Sequence, residues 1–135
     1  MNINELRDEI HENAVAHGRW DEERHFGSLV ALMHSELSEA LEEYRYKKPL
    51  IYFSCNLDGV SEDDQCDDIN HDCHFRTGGD ICEKMKPEGI AIELIDCVIR
   101  IFDYCGKVGI DVEKAIKMKH EYNKTRPYRH GGKKI

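Results

Sequence analysis

The stretch IAIELIDCVIRIFDYC, residues 90–105, is apolar enough to belong in a core, yet it carries Glu93, Asp96, Arg100 and Asp103. At about 3.6 residues per helical turn these charges fall on one narrow stripe, and Ile92, Ile95, Val98, Ile99, Ile101 and Phe102 take the remaining sides. A helix apolar over most of its circumference is expected to be largely surrounded. Its charged stripe then faces an internal cleft or the polar surface of another subunit. Unpaired carboxylates in such a place are costly, and something positive should compensate them.

A second segment supplies matching acids. LVALMHSELSEALEEYRY contains neither Gly nor Pro and is rich in strong helix formers, which predicts a long helix at about 25–46, ended by Pro49. On it Glu36 and Glu39 share one face, Leu37, Leu41 and Tyr44 lie on another, and Glu43 is one turn further along. Packed side by side, ELSE and ELID would bring together the carboxylates of Glu36, Glu39, Glu93 and Asp96. That set of hard oxygen ligands suits Mg²⁺ or Mn²⁺ better than zinc. The plainer alternative, solvated acids paired with Arg45, Arg100 or nearby lysines, describes most Glu-x-x-Glu pairs. It fits Glu93 and Asp96 poorly, because their helix has so little polar face. A di-iron bundle would want Glu-x-x-His on two helices, and only Glu22-x-x-His25 has that spacing. His34, one turn before the acids, reads as a packed or capping side chain.

Elsewhere, Ile3, Leu6, Ile10 and Ala14 recur at helical spacing over residues 3–17, with Gly18 as a stop. LIYFSC reads as a brief extended stretch, and Pro87 is expected in the first turn of a third helix that runs to about 105 and stops at Gly106 and Gly109. A last helix is expected from the N-cap Asp111 through VEKAIKMKHEYNKT to a point before Pro127. Four helices, no strand pair and no internal repeat predict an all-α bundle forming a single domain over residues 1–135. No run is long enough for a membrane span, and MNINELRDEIHEN lacks the features of a signal peptide, so a cytoplasmic location is expected.

The formal net charge of −8 hides an asymmetry: from Lys114 onward there are eight Lys/Arg against Glu121 alone. The acidic body argues against a general nucleic-acid surface, and the basic tail suits either a small polyanion or plain solvation. Residues 54–86 interrupt the helical pattern with an acidic, Cys- and His-rich insertion. Cys97 and Cys105 lie in the apolar run and read as small hydrophobes. Cys55, Cys66, Cys73 and Cys82, with His71 and His74, offer ligands for one structural zinc, but without a Cys-x-x-Cys pair; reduced thiols in an acidic loop and disulfides are the alternatives.

Glu36-x-x-Glu39 followed by Glu93-x-x-Asp96 on successive helices resembles the MazG-like all-α nucleoside triphosphate pyrophosphohydrolases. The similarity runs in order through GRWDEERHFGSLVALMHSELSEALEEYR, KPEGIAIELIDCVIRIFDYCGKVGID and KMKHEYNKTRPYRHGGKKI, leaving out the insertion. It implies a helical bundle assembled as a homodimer or homotetramer. It also implies Mg²⁺-dependent cleavage of a nucleoside triphosphate between the α and β phosphates, giving monophosphate and pyrophosphate. By matching positions, Glu36, Glu39, Glu93 and Asp96 would hold the metal, Lys119, Asn123 and Arg126 would contact phosphates, and Trp20 would stack on the base unless it is a core or interface anchor. Arg129 and His130 are further phosphate candidates, or part of a frayed end. The water-activating base is open among Glu36, Glu39 and Asp103. The chain departs from the family in the 53 residues between Glu39 and Glu93, a separation that is usually short. The competing reading from another class is a non-catalytic helical interaction module whose Cys-rich loop binds a metal or a partner.

Overall fold

The computed structural model describes residues 2–55, 85–129 and 134. Cys66, Cys73, Cys82, His71, His74 and His130 lie outside the described residues, as does the side chain of Cys55. The elements are α1 (Ile3–Ala16), α2 (Phe26–Arg45), β1 (Tyr52–Cys55), β2 (Met85–Glu88), α3 (Ile90–Val108) and α4 (Val112–Lys124). Four helices appear where the sequence places them. The expected all-α architecture is amended by one antiparallel ribbon, β1 with β2, in which Tyr52 pairs with Glu88 and Ser54 with Lys86. Among the described residues no helix is long and apolar enough to cross a membrane.

Pro87 is a second correction. It does not open α3 but sits in β2 opposite Phe53, and the helix begins at Ile90. In a two-stranded ribbon every strand is an edge, so a residue without an N–H is tolerated where it would not be in a sheet interior. Gly106 likewise lies inside α3, which continues to Val108.

The chain divides into two compact units, residues 26–98 and residues 1–25 with 99–135. In the second of these, α1 starts with a capping box: the Asn2 side chain accepts from Glu5 N–H at 2.8 Å, and Glu5 Oε2 accepts from Asn2 N–H at 3.0 Å. Asp111 caps α4 as its position suggests, accepting from Lys114 N–H at 3.0 Å. Asn4 of α1 adds a tie that sequence spacing does not reveal, donating to Asp111 and accepting from Val112 N–H. Gly18 and Gly109 end α1 and α3 with positive φ, each followed by the paired backbone bonds of a Schellman turn.

In residues 26–98, α2 ends in the same way, with Lys47 at φ 54 where glycine is usual. Lys47 N–H bonds to Tyr44 O and Lys48 N–H to Glu43 O. The chain then passes against the start of α3 at Gly89, whose φ is +110 and where a Cβ would lie 2.6 Å from Leu50 O. Only glycine fits that crossing. Leu50 O accepts from Ala91 N–H at 3.1 Å, satisfying one of the otherwise open donors at the helix start.

Gly106 lets α3 approach α1 closely, because a Cβ there would sit 2.5 Å from His11 Cβ. Gly106→Ala should therefore destabilise the protein by about 1–3 kcal/mol despite the better helix propensity of alanine. Chemical denaturation of the two proteins measures it, and equal midpoints would mean that the close approach is absent in solution.

Candidate metal centre

The acids that sequence spacing singles out come together in residues 26–98. Each of Glu36, Glu93 and Asp96 offers an oxygen, and the three lie within 4.8 Å of one another. Glu36 is only 5% exposed and Glu93 9%, although both are carboxylates. The apolar residues beside them show the reverse, with Leu37 45%, Leu41 59% and Ile95 52% exposed. Around these acids α2 and α3 turn Glu36 and Glu93 inward and Leu37, Leu41, Leu94 and Ile95 outward, while Leu29 and Ala40 of α2 stay buried.

Glu39 does not belong to that tight trio. It is exposed, but it neighbours Glu93 closely enough to hydrogen-bond with it. Burial, then the charges of Glu39 and Asp96, push the Glu93 carboxyl up to about 7. Two carboxylates this close are most stable when they share a proton. The donor set contains neither sulfur nor imidazole, and its oxygens span little more than the coordination shell of one hard divalent ion, so the residues fit Mg²⁺ or Mn²⁺.

The ribbon contributes residues that sequence reasoning did not place here. Paired positions of an antiparallel ribbon share a face, so Tyr52, Ser54, Lys86 and Glu88 point the same way. Tyr52 is 6% exposed, and burial, with the nearby Glu43 and Glu88, raises its hydroxyl far above the usual range. Glu43 keeps Oε2 enclosed without a hydrogen-bond partner among the described residues. Lys86 Nζ lies 3.3 Å from Glu88 Oε1, and the charges of Glu88, Glu93 and Asp96 outweigh its partial burial and raise its pKa. The sequence signals for the ribbon are the short aromatic and β-branched stretch LIYFSC and the alternation in MKPE, the latter outweighed by Pro87, which equally suits a helix start.

The remaining candidates lie in the other unit. Asp103, 4% exposed, accepts from Trp20 Nε1 at 2.8 Å, meets His11 Nδ1 at 2.8 Å, and pairs through its second oxygen with Arg19 Nε at 2.8 Å. Trp20 is further held by the edge of the His11 ring and by the Lys107 ammonium 5.1 Å from its centroid. Leu6, Ile10, Asn13, Arg19, Arg100 and Asp103 border a cavity of about 420 Å³ beside this cluster. On α4 and just after it, Lys119, Asn123 and Arg126 are exposed, with Lys119 and Arg126 both placed against the Tyr122 ring. Arg129 stacks on Tyr128 at the end of the described segment.

Compared with known proteins, the chain matches no family model, no curated protein and no solved structure.

The acid pair has a thermodynamic signature. A carboxyl held at about 7 in the fold and near 4.5 when unfolded binds more protons folded than unfolded between those values. Stability contributed through Glu93 is therefore full below pH 4.5 and is lost as pH rises through 7, by about 3 kcal/mol. Thermal melts of metal-free protein between pH 5 and 7.5 should show this decline, and Glu93→Gln should flatten it. A slope unchanged by that substitution would place the titrating group elsewhere.

Proposed function

We propose that the chain is a Mg²⁺-dependent nucleoside triphosphate pyrophosphohydrolase with a MazG-like helical bundle, acting in the cleaning of nucleotide pools. The observation that supports this most is the convergence of Glu36, Glu93 and Asp96 from two helices on one partly buried point. Helix-surface acids with an ordinary solvation role have no reason to turn inward while Leu41 and Ile95 face outward. In this reading Glu36, Glu93 and Asp96 hold the ion, and Glu39 joins them from the solvent side. A divalent ion held there supplies Lewis acidity against the charge of the triphosphate.

The other roles fall to groups on the chain itself. Lys119, Asn123 and Arg126 donate to phosphate oxygens, the two cations adding charge-assisted bonds. Of the candidates for accepting a proton from the attacking water, Asp103 is the least suited, since His11, Trp20 and Arg19 occupy its oxygens. Glu36 is enclosed, which leaves Glu39 as the carboxylate most open to that role. Water attack at phosphorus breaks the bond between the α and β phosphates and yields the monophosphate and pyrophosphate.

The same reading makes the protein a homo-oligomer. Leu37, Leu41, Leu94 and Ile95 are between 45% and 59% exposed, an apolar surface that a second copy would cover. Light scattering on the purified protein should give a dimer or tetramer mass, and Leu41→Asp with Ile95→Asp should shift it towards the monomer. A monomeric wild type removes this part of the reading.

Incubation with a panel of canonical and modified nucleoside triphosphates in Mg²⁺ should release pyrophosphate, and EDTA should stop it. Asp96→Ala should lower turnover by about a thousandfold or more while the helical signal is retained. Folded wild-type protein that turns over no nucleotide would instead favour the non-catalytic interaction module.

A further inference from the structure

The apolar stripe of α1 borders a gap. Leu6, Ile10 and Ala14 recur about one turn apart on that helix, yet none of its residues is fully buried. With Ile99 of α3 they line the cavity of about 420 Å³, which lies wholly in the unit of residues 1–25 and 99–135. Protein interiors are ordinarily packed without such gaps, and the volume falls among those of small-molecule pockets, roughly 300–1,000 Å³. Glu9 and Asn13, exposed at its border, open it to solvent.

The polar side of the cavity carries positive charge that is only partly matched. Arg19 and Arg100 both border it, and the Arg19 side chain is 23% exposed. Asp103 lies 2.8 Å from Arg19 Nε, but that carboxylate is shared with His11 and Trp20. The enclosed Nε is out of line for a hydrogen bond and has none among the described residues. Burial, and then the charge of Arg100, hold the Arg19 guanidinium below its ordinary pKa, with Asp103 acting the other way. Two guanidinium groups beside an aliphatic wall are the complement of an oxyanion carried on an apolar body.

We propose that this cavity binds a small organic anion, with Arg19 and Arg100 on its carboxylate or phosphate head and Leu6, Ile10, Ala14 and Ile99 around its apolar body. The site stands apart from the metal-dependent reading, since none of these residues belongs to the acidic centre on α2 and α3.

Trp20, the one tryptophan of the sequence, is bonded to Asp103 beside the cavity, so its fluorescence reports binding to the full chain. Phenylacetate, phenyl phosphate or both should change that emission and give a calorimetric signal at millimolar concentrations, the tighter of the two naming the head. Acetate, inorganic phosphate and benzyl alcohol, which carry a head or a body alone, should bind about tenfold more weakly. Arg100→Met should weaken the tighter probe about tenfold by removing a charge-assisted bond. Ala14→Leu should weaken it about tenfold by filling the apolar end. Glu9→Gln, which removes a screened like charge at the border, should tighten it about twofold. Arg100→Met and Ala14→Leu act on opposite ends of the cavity, so either decides the matter if thermal melts show that the other does not fold. Folded wild-type protein that binds neither probe, equal affinity for the heads alone, or binding indifferent to both substitutions in variants that melt like wild type would overturn the proposal.

Discussion

The repulsion between carboxylates gathered on α2 and α3 is the constraint from which the rest of the centre follows. Glu36 and Glu93 are nearly enclosed, Asp96 is within reach of both, and Glu39 stands against Glu93. An enclosed cluster of like charges has few ways to persist: a shared proton, a fixed cation, a bound metal ion, or some combination. Burial and the neighbouring acids favour the first at Glu93, whose carboxyl is pushed up to about 7. The third is what the oxygen donors are suited to take. The outward aliphatic residues of the same helices belong to the same constraint, since a helix that commits its polar stripe to the inside has only its apolar side left to show.

Much of this was legible in the sequence because it depends on helical geometry alone. The convergence of the acids follows from their spacing, and the ends of α1 and α3 follow from Gly18 and Gly109, whereas α2 stops at the Lys47 turn before Pro49 is reached. The Asp111 cap is local and was equally readable. What could not be read depends on which segments meet. Gly106 looks like a stop but serves as a close approach for His11. Pro87 looks like a helix start but takes an edge position in a ribbon whose other strand lies more than thirty residues earlier. Neighbouring residues do not encode that pairing.

Asp103 shows the same limit at the level of function. On the helical wheel it continues the stripe of Glu93 and Asp96, and sequence alone groups it with them. In the structure its oxygens are taken by His11, Trp20 and Arg19, all from residues 1–25. A stripe is a property of one helix, whereas the partners along it come from different parts of the chain. Trp20 is correspondingly a constrained ring, with its indole N–H committed to Asp103 and a cation over its face.

The ribbon also bears on how this chain can change over generations. Because Cys55 and Met85 are paired across it, the segment between them leaves and returns at one place. The entropy of closing such an excursion grows only slowly with its length. The four ribbon pairs and the crossing at Gly89 are therefore what a change in the length of the chain between Cys55 and Met85 has to preserve if Tyr52 and Glu88 are to keep their places.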